Sequence, residues 1–231
     1  MKFISKILTL PVMMCFGING CDNAVLKELK PKFRDKVKIL AIGNSFSEDA
    51  ATYIQDFAKA DGIDLTLRRL YIGGCSFLTH WNNAASDAQA YDYNETGKQS
   101  KKSSIKETLE SQAWDFITMQ QVSHESGISE TYYPYLTDLS EYIKKYKPHA
   151  IQLIHQTWSY ETGSAHSGFV KYNNNQETMF LALKDAYKKA ADTLKVKILP
   201  SGEAWQKARR IPLSLIHCTE MVFTVTQKGN I

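Results

Sequence analysis

Cysteine is scarce in this sequence: there are four among 231 residues. Cys15 falls inside an apolar leader and Cys21 closes it, which leaves Cys75 and Cys218 for the folded part. Two thiols do not build a disulfide framework, and no Cys/His cluster is spaced for a structural zinc. Blocks of like charge are missing as well. The formal charge of +4 comes from Lys and Arg scattered along the chain, which argues against a nucleic-acid footprint. Lys98, Lys101 and Lys102 lie among Gly97, Ser100, Ser103 and Ser104 and read as a solvated loop. The apolar run at residues 7–16 is too short to span a bilayer.

That run is informative for another reason. Lys2 and Lys6 precede it, and Gly17 and Gly20 lead from it to Cys21. A basic start, a short apolar stretch and small residues at the cut make residues 1–21 a secretory signal. The small residue followed by Cys21 resembles a bacterial lipobox, with Asn19 an imperfect fit at its position. Cys21 is then the lipidated N-terminus of the mature protein, and the lipid its sole tie to a membrane. Simple cleavage, giving a secreted or periplasmic protein, is the alternative. Residues 22–35 read as a polar tether, and 36–231 as one domain.

Within that domain, apolar β-branched runs alternate with helical patterns. Strands are predicted at 37–42, 65–72, 114–119, 150–154 and 196–199, and helices at 50–60, 135–146 and 177–194. Ile54, Phe57 and Ala58 mark the first helix; Phe180, Leu181, Leu183, Ala186, Tyr187 and Ala190 are expected inward on the last. The alternation argues for a three-layer α/β/α domain with five parallel strands. Residues 77–104 read as a long, polar, irregular insertion. Ligands in such a sheet bind beyond the carboxyl ends of the strands. The informative segments are therefore Gly43-Asn44-Ser45, Gly73-Gly74-Cys75, Gln120-Gln121-Val122-Ser123-His124 and His155-Gln156-Thr157-Trp158.

A serine just before a helix sits where unpaired backbone N–H groups and the positive end of the helix dipole would favour an oxyanion. Ser45 could equally be a simple helix cap, although Ser47, followed by Glu48 and Asp49, offers a cap of its own. At this point residues 37–49, VKILAIGNSFSED, resemble the first block of the SGNH (GDSL-like) hydrolases, in a G-N-S variant. The resemblance extends from about residue 36 to 210 and implies a flavodoxin-like fold and an ester hydrolase needing no cofactor or metal. It implies Ser45 as nucleophile and an oxyanion hole formed by Ser45, Gly74 and a third donor. The family's Asn for that third place is missing from WDFITMQQVSHESG; Gln121 is the substitute and His124 the rival. Gly73, His124 and Trp158 are candidate cleft lining, with Trp158 as readily a cover for the sheet. His155 reads as a packed histidine and Cys75 as a small buried apolar group. The resemblance and the predicted export suggest an acyl ester, plausibly on a carbohydrate.

The resembled family takes its base from a D-x-x-H block after the fifth strand. Here Gly202, Trp205 and Arg209 still fit, but no Asp follows Asp192, and the tail reads IPLSLIHCTEMVFTVTQKGNI. Read two nucleotides later, the codons for residues 216–231 permit L-Y-R-D-G-F-H-C-N-A-K-G-K-Y, which restores D-G-x-H. The expectation is a chain truncated or frameshifted from about residue 211, with its closing helix lost and its esterase activity impaired. His217 after Ser214 lacks an Asp partner and is a poor substitute base. The rival reading is an inactive surface lipoprotein that binds glycans with the same cleft. For the leader, the expected outcome is metabolic labelling by a fatty-acid analogue that disappears in Cys21→Ser; label persisting in that variant would contradict the lipobox.

Overall fold

A computed structural model describes residues 36–95 and 100–211. Residues 1–35 and 212–231 lie outside the described residues, and with them the leader, Cys21, the tether, Cys218 and the tail after Ile211. The element order is β1 (Lys36–Gly43), α1 (Ser45–Ala51), α2 (Ile54–Ala60), β2 (Asp64–Tyr71) and α3 (Phe77–Ala85). There follow β3 (Tyr91–Glu95), β4 (Lys101–Ser103), α4 (Ile105–Glu110), β5 (Phe116–Met119) and α5 (Tyr135–Tyr146). The chain then runs through β6 (Ile151–His155), α6 (Gln176–Leu194), β7 (Lys197–Leu199) and α7 (Ser201–Ala208).

All five predicted parallel strands are present. They pair in the order β2-β1-β5-β6-β7. The chain moves one way from β1 to β2 and then returns to the other side of β1 with β5. That reversal opens a crevice between the carboxyl ends of β1 and β5, where Ser45 and Gln120 follow their strands. Leu40, Ile42, Leu70, Ile117, Met119 and Ile154 point from the strands into one core, which α3, α4, α5 and α6 cover with residues such as Phe77, Leu109, Leu139 and Leu183. On the other face Ile39, Phe116 and Ile151 pair across β1, β5 and β6. They are only partly covered, and Ile151 is 43% exposed.

Three expectations need correcting. The described residues of 77–104 are not irregular: Ser76 caps α3 by accepting from the Thr79 N–H at 3.3 Å, and β3 and β4 extend the sheet antiparallel beyond β2. The sheet therefore has seven strands. Tyr91 is fully buried while Lys102 faces solvent and pairs with Asp92 at 2.9 Å, so an edge hairpin with one wet face reads as a polar loop. Lys101 and Lys102 belong to β4, and Lys98 lies outside the described residues. Second, the helix expected at 50–60 starts earlier and divides in two, because Asn44 caps α1 directly. Third, Leu181 is 52% exposed rather than inward, since the buried stripe of α6 runs through Met179, Phe180, Leu183, Ala186 and Tyr187.

Tyr187 couples this core helix to the site. Its side chain is fully buried, and its hydroxyl accepts from the Gln121 N–H at 3.3 Å and lies 3.4 Å from Thr157 Oγ1. Tyr187→Phe leaves a buried N–H unpaired, which costs about 1–3 kcal/mol. Urea unfolding checks this; an unchanged midpoint would mean that Gln121 finds another partner.

Candidate active site

The geometry is built around Asn44, the last residue before α1 and only 1% exposed. Its Oδ1 accepts from the Phe46 N–H at 3.2 Å, capping the helix, and its Nδ2 donates to Cys75 O at 3.1 Å and Gln121 O at 3.4 Å. Backbone groups thus fix which way the amide faces, since an N–H only donates and a carbonyl only accepts. Ser47, expected as a cap, instead donates its hydroxyl to Asn44 O at 2.7 Å. Gly43 is required by close approach: a Cβ there would stand 2.7 Å from Ser47 Oγ and 2.9 Å from Gln120 Cδ.

The orientation of Asn44 propagates. Gln120 Nε2 must donate to Asn44 Oδ1, at 2.6 Å, which turns Gln120 Oε1 toward His155 Nδ1 at 2.8 Å. An amide oxygen cannot donate, so His155 carries its proton on Nδ1, and Nε2 accepts from the Ser201 hydroxyl at 2.9 Å. One directed chain therefore crosses the ends of β7, β6, β5 and β1, and its members Asn44, Gln120 and His155 are buried. Burial pulls the His155 pKa down to about 4, keeping the ring neutral as the chain requires.

Ser45 is the first residue of α1 and is exposed; among the described residues nothing hydrogen-bonds its Oγ. The backbone N–H groups of Ser45 and Gly74 likewise meet no described acceptor. Gly74 lies in the turn closed by the Cys75 N–H to Ile72 O bond at 3.3 Å, with φ +63°, a left-handed conformation that favours glycine. The Asn44–Cys75 bond ties this turn to the turn that carries Ser45, so Ser45, Gly73 and Gly74 share one exposed rim.

Gln121 is placed differently from the donor role expected of it. It is fully buried; Oε1 accepts from the N–H groups of Phe77 at 2.9 Å and Val122 at 2.8 Å, and Nε2 donates to the carbonyl and hydroxyl of Thr131 at 3.3 and 3.1 Å. As placed, its amide holds three loops together and presents no donor to the rim. His124 stacks 6.0 Å from His166 and stands 3.9 Å from Glu125, in a cluster with Tyr160. Burial lowers its pKa, with Lys171 and His166 acting in the same direction and Glu125 opposing. Cys75 is 1% exposed beside His80, Sγ to Nδ1 3.4 Å, and burial pushes its thiol up to about 12, so it is an inert packing group. Trp158 does not join the main core cluster; its ring stands 4.4 Å from Phe46 and 5.3 Å from Trp205. The sequence reading passed over Gln120 and Ser201. The available signal was two consecutive glutamines ending a strand buried on both faces.

The comparison with known proteins now has a geometry to meet. Residues 38–218 match the model of a domain of unknown function, DUF4886. The chain belongs to the DUF4886 family. A crystal structure of a DUF4886 family protein from Bacteroides uniformis is 39% identical, with a TM-score of 0.73 over 76% of this chain and 71% of that one. A candidate SGNH hydrolase from Slackia heliotrinireducens aligns over 74% of this chain and 83% of its own, at 24% identity and TM-score 0.53, and shares the fold. No protein of curated function matches. The DUF4886 domain of this chain thus has the α/β/α architecture of the SGNH hydrolases, as the G-N-S resemblance implied.

The neutral buried histidines set an acid limit on stability. The folded pKa of His155, about 4, lies below its ordinary value of 6.5, so the unfolded chain takes up the proton first. Stability is therefore lost as pH falls from about 6.5 toward 4, and His80, lowered to about 3 by burial, extends the loss. The expected result is a melting temperature that declines across this window, with a shallower decline in His155→Gln. Parallel profiles for the two proteins would contradict the assignment.

Proposed function

We propose that this DUF4886 protein is built as a serine ester hydrolase acting through an acyl-enzyme on Ser45. The observation that carries the reading is the conjunction at one rim of an exposed Ser45 Oγ and two backbone donors, the N–H groups of Ser45 and Gly74, that meet no described acceptor. In the proposed reaction Ser45 gives its hydroxyl proton to a base as Oγ bonds to the ester carbonyl carbon, and the carbonyl oxygen takes the charge between those two N–H groups. Collapse expels the alcohol, which takes up a proton, and water then releases the acid from Ser45. With Gln121 held by Thr131, the hole rests on the two backbone donors. The acyl group is carried on a carbohydrate in this reading, and the protein stands at the cell envelope on a lipid at Cys21, from the resemblance and the leader.

A serine hydroxyl needs a base, and the D-x-x-H block expected after β7 is missing from the tail as written. We therefore propose that the frame is lost within the tail, past the end of the family match at Cys218. The chain as it stands then hydrolyses esters slowly, and a version restoring D-G-x-H is faster by about 10⁴-fold or more in kcat, the typical cost of losing a triad member. Aryl-acetate turnover by both versions, each with Ser45→Ala as control, checks this. Equal Ser45-dependent turnover in the two would mean that another base serves this chain, and inactivity of both would favour the glycan-binding alternative.

A further inference from the structure

The nucleophile turn begins two rows of side chains, and only the polar one is explained by holding the turn. The second row is aromatic. Phe46, next to Ser45, stands 4.4 Å from Trp158, and Trp158 stands 5.3 Å from Trp205, with interplanar angles of 52° and 36°. All three rings are partly exposed. Trp205 lies one helical turn beyond Ser201 on α7, so both rows end on the same helix.

The surroundings of the row separate two kinds of ligand. One further turn along α7, Arg209 donates to Ser159 Oγ at 2.8 Å and to Ser159 O at 2.7 Å, and Ser159 is the neighbour of Trp158. The aromatic row is therefore flanked by the exposed Arg209, whose guanidinium is anchored on the buried Ser159. An acyl chain gains nothing from such a border. A sugar ring has one apolar C–H face and a rim of hydroxyls, which suits indole faces bordered by polar groups.

We infer that Phe46, Trp158 and Trp205 form a platform for a pyranose ring, bordered by Arg209, that holds the sugar of a glycan ester beside Ser45. This deepens the ester-hydrolase reading and rests on it for the role of Ser45. Binding does not need the catalytic base, so it can be measured on the chain as it exists.

The test is titration of the protein with xylotetraose, cellotetraose and chitotetraose, followed by tryptophan fluorescence and calorimetry. At least one is expected to bind saturably, with Trp158→Ala and Trp205→Ala each weakening it roughly ten-fold. Trp205→Phe, which keeps a stacking face, retains most of the affinity, and Trp81→Phe, whose ring packs 6.4 Å from Tyr142, serves as the distant control. Thermal melting of each variant confirms folding. Saturation by none of the three sugars, or equal affinity in both Ala variants, overturns the platform. So does preferential binding of dodecanoate that the Trp substitutions abolish, which would make the row an acyl-chain trough. Aryl-acetate turnover is scored separately, so loss of the hydrolase reading with sugar binding intact is distinguishable from loss of the platform.

Discussion

The Asn44 carboxamide makes hydrogen bonds to Phe46, Cys75, Gln120 and Gln121, and those partners come from three different places in the fold. Three jobs converge on it. It caps α1, ties the glycine turn after β2 to the turn after β1, and closes the polar chain that starts at Ser201. Removing the side chain would strip donors from two buried carbonyls at once, each such loss costing about 1–3 kcal/mol. The same removal would free Gly74 from its place beside Ser45. Stability and site geometry are one constraint here, and Gly43 is the glycine that lets Gln120 come close enough to serve it.

Polar side chains in a row across a sheet would be costly if any were left unpaired. In this protein each donor finds an acceptor because Asn44 is oriented by backbone groups, and the orientation then passes through Gln120 to His155 and Ser201. A protonated His155 would place a proton on both ring nitrogens and lose the bond it accepts from Ser201. The low pKa of the ring is thus part of the same arrangement that positions the turn carrying Ser45. Oxyanion stabilisation depends on donors that are already in place before charge develops. In the proposed reaction the N–H groups of Ser45 and Gly74 would be such donors, since the chain beneath them fixes the turns that carry them.

The five parallel strands were legible because strands buried on both faces read as continuous apolar runs, as at Ile39 to Ile42. The hairpin of β3 and β4 was not, since an edge strand with one wet face places Asp92, Asn94, Lys101 and Lys102 beside the buried Tyr91. The start of α1 was hidden by two competing caps: Ser47 has the right chemistry, but only the Phe46–Asn44 bond of the folded chain selects Asn44. For the site, motifs show that Ser45, Gly74 and Gln121 follow three strands in order, which says where they stand and not what they do. The use of Gln121 was not readable, because it is decided by Phe77, 44 residues upstream, and by Thr131, brought in by a loop whose path no local pattern specifies. Trp158 could cover the sheet or line the cleft, and its neighbours Phe46 and Trp205 come from distant parts of the chain that no local pattern links to it.

A crystal structure after soaking with phenylboronic acid tests the central claim most directly, because a serine-bound boronate mimics the tetrahedral intermediate. The account predicts boron on Ser45 Oγ with one boronate oxygen about 3 Å from the N–H groups of both Ser45 and Gly74, and Gln121 still bonded to Thr131. An adduct whose oxygens turn away from both N–H groups, or boron carried by a different side chain, would contradict it.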